Sequence, residues 1–268
     1  MDLATHAGEE SFVSRTESVE YWDGDAPRDK IRAMSEYMED FQVIPQDQLP
    51  PGVEFGLSCT SITINAPKHL VHLHDQLKHH HGVRFLRRKL PSIHAARLSG
   101  RTRIVFNCTG NAARTLPGVL DAKCYPTRGQ VVLVRAPAVR RNVMRHGGGY
   151  ETPLLTQPAL PSSDPSTYGH ETESIMQRTQ DLCPAELRDS PCELLAVFAG
   201  ARPSREGGAR VERDALWEGE GDGGDASSAI ACALVHNYGA GGTGFQAGYG
   251  MALDAVAAVE DVVGMLTG

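Results

Sequence analysis

The chain has 268 residues, 41% hydrophobic and 22% charged, with a formal net charge of -7 at pH 7. A mean hydropathy of -0.29 and a pI near 5.9 describe a globular chain with a real core and no basic half, which argues against nucleic acid as a partner because phosphate recognition needs a basic field. No apolar run approaches the roughly 20 residues that cross a bilayer, and the opening MDLATHAGEESF has neither the basic stretch nor the apolar core of a secretory leader, so an intracellular protein without a membrane partner is expected.

Residues 1–50 read as polar and mixed, with a helix around Asp29 to Phe41 and a turn at LPPG, Leu49 to Gly52. SITIN (Ser61 to Asn65) reads as a strand, and APKHLVHLHDQLKHHHG as a helix with Pro67 in its first turn and Gly82 at its stop. VRFLRRKL (Val83 to Leu90) alternates apolar and basic residues, the period of a half-exposed strand. RIVFNCTG (Arg103 to Gly110) is an apolar run ending in small residues, as expected of a buried parallel strand that delivers a tight turn. A strand in RGQVVLVRAP, a helix in ESIMQRTQDLCP and a strand in CELLAVFAGARP follow, and the acidic, Gly/Ser-rich stretch Asp214 to Ala229 reads as an exposed loop without chemistry. At the end, Ala252, Val256, Val259, Val263 and Leu266 recur at the spacing of one buried helix face. The alternation of strands and helices makes this an α/β chain.

Six cysteines (Cys59, Cys108, Cys124, Cys183, Cys192, Cys232) are scattered without a CxxC and read as buried free thiols. His69, His72, His74, His79, His80 and His81 crowd one helix, but no cysteine or carboxylate cluster stands at ligand spacing; a solvated helix with no metal site is expected. The segment HNYGAGGTGFQAGYG, His236 to Gly250, has six glycines in fifteen residues directly before the closing helix. Glycines at a helix start bare N–H groups and a positive dipole end to a flat or anionic ligand; they serve equally as a tight packing corner.

Several separated stretches together are similar to one family. VFNCTG (Val105 to Gly110), YPTRGQVVLV (Tyr125 to Val134), ARPSREGGARVERD (Ala201 to Asp214) and HNYGAGGTGFQAGYG, with LPPG and SITINAPKHL before them in matching order, resemble the FAD-dependent D-amino-acid oxidase and D-aspartate oxidase family from about Val43 onward. The resemblance implies oxidation of a D-amino acid by hydride transfer to FAD, then hydrolysis of the imino acid and transfer of the electrons to dioxygen, giving hydrogen peroxide. Read alone, Arg202 in ARP is an ordinary strand-end arginine; the resemblance makes its guanidinium fork the clamp on the substrate carboxylate. It likewise implies flavin contacts from the backbone of Gly241, Gly242, Thr243, Gly244, Phe245 and Gln246, a substrate-facing carbonyl at Gly242, a polar position near the substrate at Gln246, and contacts to the ADP side of FAD from Leu90, Thr109 and Gly110.

Two departures shape the expectation. Nothing before Val43 resembles the strand, GxGxxG turn and helix that hold the pyrophosphate in the family, so a chain truncated at its N-terminus is expected. Between Tyr150 and Pro165 a Pro/Ser-rich segment stands where the family has a hairpin bearing active-site tyrosines; Tyr150 is the candidate first tyrosine and Tyr168 the second, although either also reads as a loop residue. The expected architecture is an incomplete Rossmann-like FAD-binding domain, 62–120 and 212–268, interleaved with a mixed-sheet substrate domain, 1–61 and 121–211. FAD-dependent oxidative deamination of D-amino acids is the leading function, with an inactive remnant or a non-catalytic interaction protein of the same family as the alternative. A related amine or glycine oxidase fits HNYGAGG and ARPSREGG less well. Oligomeric state is open, a homodimer included. Family resemblance implies a peroxisome, but GMLTG is not an SKL-type ending, so the cytoplasm stands beside it.

Overall fold

The structure is a computed structural model describing residues 8–147, 164–187, 192–214 and 232–267. It divides into two compact units: residues 1–87, 131–158 and 167–198 in the first, and 88–130, 159–166 and 199–268 in the second.

The first unit is built on a four-stranded sheet in the order β2-β3-β1-β6, with β1 Val13–Trp22, β2 Glu39–Val43, β3 Phe55–Ile64 and β6 Asn142–His146. β1 and β3 pair antiparallel from Val13↔Ile64 to Trp22↔Phe55, while β6 joins β1 in parallel. Trp22, Met34, Leu57 and Cys59 form the core, covered by α1 (Arg28–Tyr37). That helix stops four residues short of Phe41 because Glu39 enters β2 and Asp40 sits at φ 52, outside helical backbone. β1 escaped the periodicity because its inward residues are polar as well as apolar. Ser18 and Glu20 are buried, and Glu20 is neutralised by Lys30 Nζ at 2.5 Å and faces His146 Nε2 at 3.2 Å.

The expected helix after β3 is α2 (Ala66–His79), opened by the Asn65 side chain accepting from Lys68 N, and Gly82 follows it at φ 64. His69 is buried and its Nδ1 bonds the Ser11 carbonyl at 2.7 Å, so this histidine serves packing. Among the described residues no three His, Cys, Asp or Glu side chains gather as a metal site. The six cysteines are free; Cys59, Cys124, Cys183 and Cys232 are buried, whereas Cys108 is exposed and Cys192 half-buried. Residues 83–90 are irregular, not a strand: alternation suits a strand only where a neighbour accepts its hydrogen bonds, and no described strand pairs with this stretch.

In the second unit β4 (Ile104–Asn107), β9 (Ala233–Tyr238) and β8 (Arg210–Arg213) form a sheet in the order β4-β9-β8. β4 and β9 are parallel, β8 and β9 antiparallel. β5 (Cys124–Arg135) pairs with β7 (Glu193–Arg205) in a two-stranded sheet, and the division between the units falls within both strands. α3 spans Gly169–Leu182, placing Tyr168 at its exposed start. The closing segment forms two helices, α4 (Gly244–Ala257) and α5 (Glu260–Thr267). The expected buried face is corrected: Ala252 is exposed, Val256 is 51% and Val263 37% exposed, and only Val259 is fully covered. Ala255, Ala258, Val259 and Val262 make the contact with Ala233 and Val235. The helix is apolar on several sides, so spacing alone did not select a face, and the break at Ala258 changes the phase. Leu266 falls outside the residues whose side chains are described. No helix among the described residues is long and apolar enough to cross a membrane.

Leu57 is 0% exposed at the centre of the first core. Leu57→Ala is expected to lower unfolding free energy by about 2–5 kcal/mol, read from urea denaturation of the purified chain.

Candidate active site

Because β4 and β9 are parallel, their carboxyl ends open on the same edge of the sheet, the edge at which α/β folds bind ligands. β4 leads through Cys108 into Thr109 and Gly110, with Gly110 at φ 57; β9 leads from Tyr238 into Gly239 at φ 89 and Gly241 at φ 58. Positive φ at these three positions is the reason for glycine there, since a Cβ is strained in that region.

Two buried polar groups hold these turns. The Asn107 side chain accepts from both Thr109 N (3.2 Å) and Thr109 Oγ1 (2.7 Å), folding the β4 turn onto its own strand. Its amide nitrogen lies 3.0 Å from His236 Nδ1, and His236 Nε2 lies 3.2 Å from Asp214 Oδ2. With the Asn107 amide donating to Nδ1, the imidazole is neutral and carries its proton on Nε2, directed at Asp214. Burial pushes the His236 pKa down, against the opposing bond to Asp214, which keeps that neutral form.

The second group centres on Asp121. Its Oδ2 accepts from Arg205 Nε at 2.8 Å and from Tyr238 OH at 2.9 Å, and the Tyr238 oxygen in turn accepts from Arg210 Nη1 at 3.0 Å. Burial would raise the Asp121 pKa, but the bonds from Arg205 and Tyr238 outweigh it and hold the carboxyl at about 2. Tyr238, buried and facing that carboxylate, is pushed up to about 12 and stays a phenol donor.

β7 runs between the two turns. Asn111 Nδ2 donates to the Ala201 carbonyl, and a Cβ on Gly110 would touch Pro203 at 3.4 Å. Ser204 bridges Ala240, and a Cβ on Gly241 would lie 3.2 Å from Ser204 Oγ. Arg202 is exposed, lies against Gly129 of β5, and has its Cδ 3.6 Å from where a Cβ on Gly242 would be. Among the described residues it forms no hydrogen bond or ion pair.

β7 is thus contacted by Gly110, next to Thr109, on its Pro203 face, and by Gly241 and Gly242 on the face of Ser204 and Arg202. Thr243 caps the loop by donating from Oγ1 to the Ala240 carbonyl at 2.8 Å, and Gly244, Phe245 and Gln246 form the exposed first turn of α4. Leu90 is half-buried in irregular backbone, and the contacts that gather the others do not include it. Tyr150 lies outside the described residues. Asn107, Asp121, Gly129, Ser204 and His236 were missed as site residues; for Asn107, Gly129, Ser204 and His236 the advance signal was their position inside VFNCTG, YPTRGQ, ARPS and HNYG, whereas Asp121 lies outside these motifs.

A cavity of about 350 Å³ opens beside the loop, lined by Tyr125, Ser204, Gly239, Gly241, Thr243 and Met251 among others. A larger one of about 560 Å³, in the first unit near Arg28, Ile31 and Phe55, shares no residue with the convergent group. Convergence of donors and bare backbone, more than volume, marks the site.

Residues 2–258 match the family model described as FAD dependent oxidoreductase. The chain belongs to that family. FAD is the family's cofactor, and the protein is a flavoprotein oxidoreductase with the α/β fold this implies. It is 37% identical over 252 residues to a D-amino-acid oxidase of Schizosaccharomyces pombe, an alignment covering 88% of this chain and 69% of that relative. It is 30% identical over 308 aligned residues to a D-aspartate oxidase of Cryptococcus neoformans, covering 93% and 74%. Among solved structures, an L-proline dehydrogenase from P. horikoshii is similar in fold, with TM-score 0.63, 14% identity and coverage of 98% of this chain and 76% of that one.

The residues present fit FAD in this flavoprotein. A Cβ on Gly244 or Gly248 would meet nothing within 4 Å, so the helix start faces open space. The N–H-bearing end of this helix and the bared turns at Gly110 and Gly241 suit an anionic, flat ligand.

The folded Asp121 carboxyl is more acidic than an unfolded one, so its stabilisation is complete above about pH 4 and lost as pH falls toward 2. Asp121→Asn is expected to cost about 2 kcal/mol at pH 7 and to flatten this acid limb, measured by thermal unfolding from pH 2 to 7. His236, with its folded pKa lowered, adds stability that is present above about pH 6.5 and declines below it. His236→Gln should remove the decline between pH 6.5 and 5.

Proposed function

We propose that this chain oxidatively deaminates D-amino acids with FAD, yielding the 2-oxo acid, ammonia and hydrogen peroxide. The observation that carries the reading is Arg202: an exposed guanidinium, without a hydrogen bond or ion pair among the described residues, beside the glycine loop of a flavoprotein. An uncommitted fork matches the geometry of a carboxylate, and holding that carboxylate fixes the α-carbon for a reaction that tolerates little misalignment. The names of the two relatives, a D-amino-acid oxidase and a D-aspartate oxidase, support the D-amino-acid class.

Arg202 clamps the substrate carboxylate, the Gly242 carbonyl accepts from the substrate amine, and Gln246 supplies a polar side chain near both. Gly241 to Gln246 hold the flavin ring through backbone donors, while Thr109, Gly110 and Leu90 contact the ADP side. Tyr150 is assigned to substrate enclosure. FAD, when bound, accepts the hydride from the α-carbon and hands the electron pair to dioxygen. A neutral amine releases that hydride without a protein base, so none is assigned. Residues 62–120 and 212–268 are assigned to FAD, residues 1–61 and 121–211 to substrate.

Titration of the purified chain with FAD, followed by flavin absorbance and fluorescence, should give saturable binding, and D-alanine should then drive peroxide release. Arg202→Ala is expected to lower kcat/KM by roughly 100-fold, about 3 kcal/mol. Arg202→Lys should recover only a minor part, because an ammonium lacks the fork. Absence of FAD binding, or an Arg202→Ala variant as active as the parent, would reject the reading.

A further inference from the structure

Gly129 interrupts β5 in the middle of YPTRGQVVLV. Glycine inside a strand weakens it and marks a bulge or a close approach by another group. Backbone conformation does not demand it here, since its φ lies outside the left-handed region, unlike those of Gly110 and Gly241. The close approach is that of Arg202. A Cβ on Gly129 would stand 2.5 Å from Arg202 Nη1, 2.6 Å from Cζ and 2.6 Å from Nη2.

Near-equal distances to these three atoms place that methyl over the flat face of the guanidinium and not against its edge. The fork therefore lies face-down on the Gly129 backbone, leaving its in-plane N–H groups directed sideways, where a planar carboxylate meets them. One step along the strands, Thr127 Oγ1 and Ser204 Oγ share a 2.7 Å hydrogen bond. Thr127 and Gly129 share one face of β5, as Ser204 and Arg202 share one face of β7, so the hydroxyl pair pins the register that lays Arg202 over Gly129. The arginine stem runs past Gly242 at ordinary van der Waals distance.

The geometry points to Gly129 as the positioning residue of the clamp: its missing side chain is the seat that holds the Arg202 fork at the height and orientation needed for the substrate carboxylate. This rests on the reading of Arg202 as the carboxylate clamp. The atoms an alanine would strike are the far end of a flexible side chain, so Gly129→Ala displaces the fork while β5 keeps its fold, and alanine is no worse than glycine in a strand.

The test uses the full chain saturated with FAD, comparing the parent, Gly129→Ala and Arg202→Ala. Propionate, a carboxylate that cannot be oxidised here, is titrated calorimetrically; D-alanine kinetics, FAD affinity and melting temperature are measured alongside. Gly129→Ala is expected to raise the propionate Kd and the D-alanine KM together by about tenfold or more, with kcat changing less and FAD affinity and melting temperature preserved. Turnover of D-alaninol, which lacks the carboxylate, should respond much less. If Arg202→Ala loses propionate while Gly129→Ala binds it like the parent, the clamp stands and the seat is rejected. If Gly129→Ala loses FAD or melts early, glycine serves the fold and the seat is again rejected. A parent that does not bind propionate, or an Arg202→Ala variant that binds it unchanged, overturns clamp and seat together.

Discussion

The Asp121 carboxylate accepts from Arg205 at the end of β7 and from Tyr238 at the end of β9, and so ties three separated segments to one buried charge. The glycine loop begins at the residue after Tyr238, so its path is set before the first glycine. The node is shared and not redundant at its centre: Arg205 also reaches the Gly208 carbonyl and Lys123 N also donates to Asp121, but loss of the carboxylate takes the acceptor from Arg205 Nε and from the Tyr238 hydroxyl together. The loop can then be rich in glycine without being loose, because Tyr238 anchors its start and the bridge between Ser204 and Ala240 fixes its crossing over β7.

The polar groups divide the labour of the site. Asn107 and His236 are both buried and spend their hydrogen bonds on strand ends, fixing the β4 turn against β9 and reaching Asp214. Arg202, in contrast, is left exposed and, among the described residues, without a hydrogen bond or ion pair. Rigid support beneath and an unpaired cation above is the arrangement expected where binding energy must orient a ligand.

Much of the site was legible in the sequence because its motifs are local. Each of VFNCTG and HNYGAGG places a strand end and its turn within one short run, and both turns lie where those runs end. What stayed hidden depends on contacts between distant segments. Asp121 sits in an unremarkable run, LDAKC, and acquires meaning only from residues 84 and 117 positions away. β1 was missed because Glu20 faces inward, its charge compensated by Lys30 and His146 from other elements. The alternation in Val83 to Leu90 gave a strand that does not form, since period predicts a face and not a pairing partner. The closing helix shows the same limit: apolar residues on several sides satisfy more than one spacing, and packing on Ala233 and Val235 chose among them.

The short end of β7 serves two layers at once. Arg202 and Ser204 point to the face bearing Gly129 and Thr127, while Pro203 and Arg205 point to the face bearing Gly110 and Asp121. Substitution at one of these positions perturbs one face. Insertion or deletion of a single residue would exchange the faces, turning the cation away from its seat and the Asp121 partner out into solvent in one event. The length of this stretch is therefore constrained by both faces at once, whereas its individual side chains answer each to one face.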